Sequence, residues 1–282
     1  MGITKGYGLG KLGSVISSDE VIRQSSHFSE YAPTNEDLSQ CVNNEVALHV
    51  SGLTAGYGHM EILHDFNLQI GKGQSLCLIG PNGAGKSTVL HTIYGFCRIF
   101  SGTIQKDGQD ITRLSSNDKL SMAGIAYLLQ DNSVFEQMTV AENLLLGGYL
   151  LPSKADAKIA TEKVFSKYTR LAQRRHQLAG SLSGGERRLL EISRALIMDP
   201  EVLLVDEPSI GLEPRFIDQV FDILKDLQDN ENKTIIMVEQ NARRGLEFAD
   251  IGYILVSGKL ALAGPASELL DNAQVAELFL GG

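Results

Sequence analysis

The sequence is short of the features that would assign it to several large classes of protein. It has no tryptophan and only three cysteines, Cys41, Cys77 and Cys97, whose spacing matches no metal-ligand pattern. An odd set of this kind predicts reduced thiols rather than a disulfide framework or a zinc site. Basic residues are outnumbered by acidic ones, 25 against 34, which disfavours a protein that coats nucleic acid.

Long apolar runs are also missing. No window approaches the roughly 18 apolar residues of a membrane-spanning helix, and the N-terminus lacks the apolar core of a secretory signal. We therefore expect the chain to have no transmembrane segment of its own and to reach a membrane only through a partner. With 282 residues, 43% of them hydrophobic, it is long enough for one large α/β domain.

Composition divides the chain into a tail and a domain. Residues 1–45 are rich in glycine, serine and amide side chains and have little periodic hydrophobicity, which predicts a mobile tail. Residues 46–280 begin with alternating strands and continue with buried strands that each follow a helix. We expect a P-loop type α/β core with a mixed sheet, an antiparallel β part, and a helical insert at about 134–195.

The motif at the centre of the domain is G-x-x-x-x-G-K-[ST]. Its members are Gly80, Pro81, Asn82, Gly83, Ala84, Gly85, Lys86, Ser87 and Thr88. An apolar run precedes it and apolar residues at helical spacing follow it, which is the strand-loop-helix context of a phosphate cradle. Lys86 would contact the β- and γ-phosphates, and the Ser87 hydroxyl would reach Mg²⁺. The alternative, a glycine-rich turn that binds nothing, is disfavoured by this complete context.

A second apolar run, residues 202–205, ends in the acids Asp206 and Glu207. In open α/β sheets, ligands bind at the carboxyl edge of the strands. We therefore expect Asp206 to hold Mg²⁺ directly or through its waters, and Glu207 to polarise a water for attack on the γ-phosphorus. A solvated strand end is the alternative, and the P-loop upstream favours the catalytic interpretation.

A third motif opens a predicted helix and consists of Leu182, Ser183, Gly184, Gly185 and Glu186. Ser183 and Glu186 have the spacing of a capping box, and Leu189, Ile192 and Leu196 form one apolar stripe. A structural role explains these residues but not two consecutive glycines, which weaken a helix. Glycines there leave amide groups exposed at the helix N-terminus, where an anion can bind.

Together, these three motifs and the run at residues 209–214 resemble the ATP-binding subunit of ABC transporters. The resemblance covers residues 46 to about 280. Within that family the stretch after the strand ending at Val238, which reads Glu239, Gln240, Asn241, is similar to the LivF-type ATPases. Those serve importers of branched-chain amino acids and relatives that carry other amino acids, urea or amides.

The resemblance implies a role for several further residues. Tyr57 would stack on adenine, although an ordinary strand-edge tyrosine is the alternative. Gln130 resembles the glutamine that touches Mg²⁺ or the attacking water. Ser183 and Gly185 would contact the γ-phosphate of ATP held by a second subunit, so that two chains enclose two nucleotides. Gln240 stands where many members have a histidine, and it can still donate an amide hydrogen bond.

The function implied is an ATP- and Mg²⁺-dependent ATPase that powers import through two separate membrane permease subunits. A second ATPase subunit, identical or paralogous, would complete the dimer, and an extracytoplasmic solute-binding protein would join through the permeases. The chain would then be peripheral, at the cytoplasmic face of the membrane, with no nucleic acid as partner. Lys86, Gln130, Glu207 and Gln240 would carry the chemistry.

Several alternatives use the same motifs. A lipopolysaccharide exporter is built on similar ATPase subunits, and nothing in the motifs separates export from import. A DNA-repair or chromosome-organising ATPase would carry a long heptad stretch between Lys86 and Ser183, and the sequence has none. A translation-factor-like ATPase would carry two nucleotide domains in tandem. A regulatory module without turnover is disfavoured by the intact Glu207.

Overall fold

Two β-sheets organise the computed structural model, which describes residues 32–43, 45–129 and 133–279. One sheet contains β1 Val46–Tyr57, β2 Met60–Gly71, β4 Arg98–Lys106 and β5 Gln109–Asp110. The other contains β3 Ser75–Ile79, β6 Ile125–Leu128, β7 Val202–Asp206, β8 Thr234–Val238, β9 Ile251–Val256 and β10 Lys259–Pro265. The first is antiparallel in the order β2-β1-β4-β5, and the second runs β10-β9-β3-β8-β7-β6.

The six-stranded sheet is parallel except at its β10 edge. β3 pairs in parallel with β8 and β9, and β7 pairs in parallel with β8 and β6. Val238 lies opposite both Leu78 and Asp206, so the carboxyl ends of β3, β8 and β7 reach the same edge. The P-loop and the acidic pair therefore meet at that edge, and the predicted mixed sheet with an antiparallel part is confirmed.

Eleven α-helices are present in the described part of the chain. They are α1 Asn35–Gln40, α2 Lys86–Tyr94, α3 Ser116–Ser121, α4 Val140–Gly147, α5 Lys154–Lys167, α6 Thr169–Gln173, α7 Gly184–Ala195, α8 Pro214–Glu231, α9 Ala242–Phe248, α10 Ala266–Asp271 and α11 Ala273–Phe279. None of these described helices has the length and apolar character needed to cross a bilayer.

The parallel sheet separates two hydrophobic cores because side chains alternate along each strand. Leu76 and Leu78 of β3 face the core that includes Ile93 of α2 and the antiparallel sheet. Cys77, between them, faces the core that includes Leu224 of α8. Both faces of β3 are thus covered, which explains why its five residues are all apolar or small and all buried.

The helices α4 to α7 lie between β6 and β7 in the chain and surround a third, smaller core. Leu190 of α7 belongs to this core, whereas Ile192 belongs to the core of the parallel sheet. The predicted apolar stripe is therefore only partly correct, since Leu189 and Leu196 are half-buried. One helix that touches two cores on different sides needs a wider apolar surface than a single stripe.

The structure departs from the predicted mobile tail at α1. Thr34 and Asp37 form a capping box at its start, and Leu38 is fully buried against the main core. The Gln74 side-chain amide donates a hydrogen bond to the Cys41 carbonyl oxygen at 3.0 Å. A single apolar anchor in a polar segment produces no periodic signal, which is why composition did not predict this helix. Residues 1–31 lie outside the described residues.

Candidate functional site

The P-loop connects β3 to α2 through glycines with positive φ. Gly80, Gly83 and Gly85 have φ of 147°, 81° and 98°. A Cβ atom at Gly80 would lie 2.2 Å from the Leu255 carbonyl oxygen, so that glycine is required by close packing on β9. A Cβ atom at Gly83 would meet nothing within 4 Å, so this part of the loop borders open space. The loop is held at its base and open at its tip.

Lys86 lies inside this loop and is only 8% exposed. Its Nζ donates hydrogen bonds to the carbonyl oxygens of Gly80 at 2.9 Å and Pro81 at 3.1 Å. Burial lowers the pKa of this ammonium group, while the negative charges of Glu207 and Asp206 act in the opposite direction. The cation and both acids are therefore close enough to interact. The uncapped N-terminus of α2 adds backbone amides that favour an anion at the same place.

Asp206 joins three elements at the end of β7, where it is 3% exposed. The Ser87 hydroxyl donates to Asp206 Oδ1 at 3.0 Å, and the Tyr127 hydroxyl donates to Asp206 Oδ2 at 2.8 Å. Burial and then the Asp206 carboxylate raise the pKa of Tyr127, which keeps that hydroxyl protonated as a donor. Tyr127 lies opposite Leu204 in the parallel register. Sequence reasoning missed it because the pairing of β6 with β7 is invisible in a single sequence.

Glu207 adopts a left-handed backbone conformation with φ of 43°, which is uncommon for a residue other than glycine. Its backbone N–H donates to the Val238 carbonyl oxygen at 2.9 Å, so the turn after β7 is anchored to β8. Strained backbone of this kind persists only where surrounding contacts hold it, and it concentrates at functional sites. The geometry therefore agrees with a special role for Glu207 next to Asp206.

The end of β8 brings Gln240 to the same edge, where its side chain is exposed. The preceding Glu239 is buried, and its Oε1 accepts hydrogen bonds from the Ser209 hydroxyl at 2.7 Å and the Asn241 backbone N–H at 3.0 Å. Glu239 thus ties the loop after β7 to the loop after β8. Sequence reasoning treated it only as part of a family-like run, although an acid directly after a buried strand was an available signal.

Tyr57 ends β1 and is 46% exposed. Its hydroxyl lies 2.5 Å from Nδ1 of His91, a residue of α2. Burial raises the pKa of Tyr57 to about 12. The His91 ring also makes edge contacts with Phe96 and Tyr127, at centroid distances of 5.8 Å and 5.6 Å. His91 was another residue that the sequence did not single out.

Ser183 caps α7, and its described hydrogen bonds that involve a side chain all run to Glu186. The hydroxyl donates to Glu186 Oε2 at 2.9 Å, and the Ser183 backbone N–H donates to the same oxygen at 3.0 Å. A Cβ atom at Gly185 would lie 2.3 Å from the ring of Phe216, whereas Gly184 has room for one. The inference that a structural role leaves both glycines unexplained is therefore wrong for Gly185. Packing against Phe216 requires it.

The sequence profile of the ABC transporter family matches residues 63–210, more than half of the chain. The chain belongs to the ABC transporter family of ATP-binding proteins. Membership in this family makes the protein an ATP-binding, ATP-hydrolysing subunit of ABC transporter type, as the motifs predicted.

Curated relatives align over nearly their whole length. The branched-chain amino acid transport ATP-binding protein BraG of Pseudomonas aeruginosa is 40% identical over 80% of this chain and 96% of its own. A probable LivF protein of Archaeoglobus fulgidus is 39% identical over 81% of this chain and 96% of its own. The lipopolysaccharide export protein LptB of Acidithiobacillus ferridurans is 34% identical over 83% of this chain and 96% of its own.

Solved ABC cassettes have the same fold. A nucleotide-free ATP-binding cassette from an ABC transporter superposes with a TM-score of 0.73 and 26% identity, covering 84% of this chain and all of that one. A cassette in its ADP conformation superposes with a TM-score of 0.72 and 27% identity, covering 84% of this chain and 99% of that one. The predicted fold class is confirmed by this agreement.

The oxygens of Ser87 and Asp206 fit a magnesium ion that is shared with a nucleotide. Mg²⁺ in such sites takes one or two protein oxygens and completes its shell with phosphates and water. Within residues 32–43, 45–129 and 133–279, no group of three histidines, cysteines or acids could hold a metal by itself. The side-chain pair therefore suits an ion that arrives with ATP.

The structure brings most of the predicted site residues in its described part to one edge and leaves the start of α7 apart. Lys86, Ser87, Asp206, Glu207 and Gln240 meet at the carboxyl ends of β3, β7 and β8. The described hydrogen bonds of the residues that open α7 do not reach the P-loop. The predicted glutamine at position 130 lies outside the described residues.

Proposed function

We propose that this protein hydrolyses ATP, with Mg²⁺, at the edge shared by the P-loop, Asp206 and Glu207. The observation that carries the proposal is the 3.0 Å hydrogen bond between Ser87 Oγ and Asp206 Oδ1, because it joins the two expected magnesium ligands from distant parts of the chain. The buried Lys86 ammonium beside them supplies the positive charge that a triphosphate needs. A glycine-rich turn without a ligand would need none of these groups.

Each residue then has a distinct task. The P-loop amides and Lys86 bind and orient the β- and γ-phosphates, and Ser87 and Asp206 would hold the metal. Bound Mg²⁺ would neutralise phosphate charge and fix the phosphate oxygens. Glu207 accepts a hydrogen bond from the attacking water and orients it, while Gln240 donates its amide to the γ-phosphate. Catalysis of this kind rests on positioning and electrostatics.

We infer that hydrolysis requires a second ATPase subunit. The α7 N-terminus carries Ser183, Gly184 and Gly185, but the described hydrogen bonds of Ser183 stay within the first turn of its own helix. In a head-to-tail pair, this end of α7 would contact the γ-phosphate held by the partner. Residues 209–214 would cross the same interface. The pair is either two copies of this chain or this chain with a paralogue.

The transported solute is proposed from the relatives. BraG and LivF are named for branched-chain amino acid transport and are 40% and 39% identical to this chain. The LptB relative, named for lipopolysaccharide export, is 34% identical. We propose import of branched-chain amino acids or related small polar solutes, through two permeases served by a solute-binding protein, at the cytoplasmic face of the membrane. Lipopolysaccharide export is the second candidate.

A groove beside the site suits the permeases. It encloses about 520 Å³ between the parallel sheet and the helical part. Its lining includes the apolar side chains Tyr94, Leu128, Phe135, Leu146 and Tyr149. Tyr127, whose hydroxyl donates to Asp206, also lines the groove, so a permease bound there would lie next to the nucleotide. Exposed aromatic groups around a concavity are typical of a protein-binding surface.

Glu207→Gln tests the ATPase proposal. Removal of the carboxylate charge should lower turnover by on the order of a hundredfold or more, because the attacking water is no longer polarised. Binding of ATP should persist, so a nucleotide-bound dimer should accumulate in size-exclusion chromatography. Glu268→Gln, an exposed change on α10, is the matched control. Unchanged turnover in Glu207→Gln would overturn the assignment.

Reconstitution separates import from export. The chain is purified with its permeases, placed in proteoliposomes, and assayed for ATPase activity with and without binding protein loaded with leucine. Stimulation together with leucine uptake supports import. ATP-dependent release of lipopolysaccharide, without a response to leucine, would establish the second candidate.

A further inference from the structure

The contact between Tyr57 and His91 links two parts of the nucleotide site. Tyr57 lies at the end of β1 in the antiparallel sheet, and His91 belongs to α2, the helix that starts at Lys86. The hydroxyl-to-Nδ1 distance of 2.5 Å makes this a short, direct hydrogen bond. The rings meet edge to face at 81° with centroids 6.1 Å apart. The contact therefore restrains both the hydroxyl and the plane of Tyr57.

Chemistry assigns the direction of this hydrogen bond. The pKa of Tyr57 is raised by burial, so its hydroxyl keeps its proton and can donate. The pKa of His91 is lowered, also by burial, which favours a neutral imidazole at neutral pH. A neutral ring with its proton on Nε2 leaves Nδ1 free to accept. The donor and the acceptor are thus complementary.

His91 places this hydrogen bond on the same helix as the P-loop lysine. His91 lies five residues beyond Lys86, which is about 7.5 Å along the axis of α2. The N-terminus of α2 binds phosphate, and the middle of the same helix holds Tyr57. One rigid element therefore sets the distance between the phosphate subsite and the aromatic ring.

We propose that His91 is a positioning residue that holds the Tyr57 ring at a fixed distance from the P-loop, so that the ring is ready to stack on the base. The inference rests on the proposed stacking role of Tyr57. Tyr57 is 46% exposed, so a base can reach its side chain. A ring ordered before binding loses less conformational entropy when it stacks, so the tether should strengthen the binding of nucleotides that carry a base.

Packing alone is the rival explanation. His91 also contacts Phe96 and Tyr127, so it could merely fill space beside α2. Tyr57→Phe removes the hydroxyl and keeps the stacking ring. His91→Phe removes the acceptor and keeps an aromatic ring for those edge contacts. A hydrogen bond and a packing role therefore predict different results for these two substitutions and their combination.

The experiment compares ADP with pyrophosphate as ligands, both with Mg²⁺, by calorimetry on the full chain. Either single variant should bind ADP about three- to tenfold more weakly, which is the range expected for one neutral hydrogen bond. The double variant should be no weaker than the singles, because both remove the same bond. Pyrophosphate affinity should change less than about twofold, since that ligand has no base. His176→Phe, an exposed histidine in the helical part, is the control.

Three results would overturn the proposal. They are wild-type ADP affinity in both single variants, additive losses in the double variant, and equal losses for ADP and pyrophosphate. Tyr57→Ala tests the premise, the stacking role of Tyr57, separately from the role of His91. If Tyr57→Ala leaves ADP affinity unchanged, the stacking role itself fails. If the wild-type chain binds neither ligand, the P-loop proposal fails. Thermal melting of each variant identifies any that is misfolded.

Discussion

The helices α2 and α7 both begin next to glycine and both carry a motif for phosphate, but their N-termini differ. The N-cap of α2 is Gly85, with no side-chain cap and no acid in the first turn. The N-cap of α7 is Ser183, in a capping box with Glu186. Amides at the start of α2 are thus free for an anion, whereas the start of α7 is already capped by hydroxyl and carboxylate oxygens.

Charge sharpens the contrast. Lys86 places a buried cation at the start of α2. Glu186 places a carboxylate at the start of α7, where it pairs with Arg174 at 2.8 Å. Burial raises the pKa of Glu186, but hydrogen bonds from Ser183 and the interaction with Arg174 outweigh this effect and leave it lowered, so the acid stays ionised. The start of α2 therefore combines open amides with a positive charge, as a phosphate site needs, whereas the start of α7 carries a negative charge.

Of the substitutions that test the difference between α2 and α7, Lys86→Ala should have the largest effect, which is on nucleotide affinity. Loss of the buried cation should weaken binding of Mg²⁺-ADP by on the order of a hundredfold. The measurement is calorimetric titration of the isolated chain, with Lys163→Ala, an exposed substitution on α5, as control. Wild-type affinity would mean that α2 does not form the phosphate site.

Ser183→Ala should affect turnover but not binding. If α7 serves the partner's nucleotide, ADP affinity of the monomer stays unchanged while kcat falls on the order of tenfold. The change also removes a helix cap, so Thr139→Ala, which removes the equivalent cap of α4, is the matched control. ATPase rate per chain should rise with protein concentration in the wild type. A rate independent of concentration would contradict the partner role.

Gly185→Ala and Gly184→Ala compare the two glycines at the start of α7. Alanine at 185 would press a methyl group against Phe216 and should lower the free energy of unfolding by about 1–3 kcal/mol. Alanine at 184 has room and should be neutral or slightly stabilising. Urea unfolding measures both. Equal midpoints would show that packing does not require the second glycine, and Phe216→Leu should relieve the strain of Gly185→Ala.

The smallest expected effect is on the pH dependence of stability, and it comes from Lys119, which contacts the C-terminus of α2. Fully buried Lys119 donates to the Ile93 carbonyl oxygen at 2.6 Å, and burial lowers its pKa to about 8. The folded chain then releases this proton at lower pH than the unfolded chain, so stability should rise from about pH 8 to 10. Lys119→Met should remove that rise, by on the order of 1 kcal/mol in urea unfolding. The exposed control Lys158→Met should run parallel to wild type.

Local chemistry made much of the site predictable. The P-loop, the acids at the end of β7 and the capping boxes of α4 and α7 are all set by residues a few positions apart. Contacts between distant segments were not predictable. Tyr127 reaches Asp206 only because β6 pairs with β7, and Tyr57 reaches His91 only because the antiparallel sheet packs on α2.

Helix α1 and Gly185 also combine a feature that local sequence predicts with a contact that it does not. The capping box of α1 was present in the sequence, but nothing local indicated that Leu38 would be buried. The second glycine of the α7 motif also has a packing reason that appears only after folding, because Phe216 from α8 lies against it.

By itself, the sequence determined the family, the strand-loop-helix order and the caps of α2 and α7, and it predicted the phosphate and metal ligands, since all of these depend on spacing along the chain. Tertiary structure alone decided which side chains hold the predicted site residues in place, such as Tyr127 beside Asp206 and Phe216 beside Gly185. The physical reason is that burial, register and close packing depend on segments that meet only after folding.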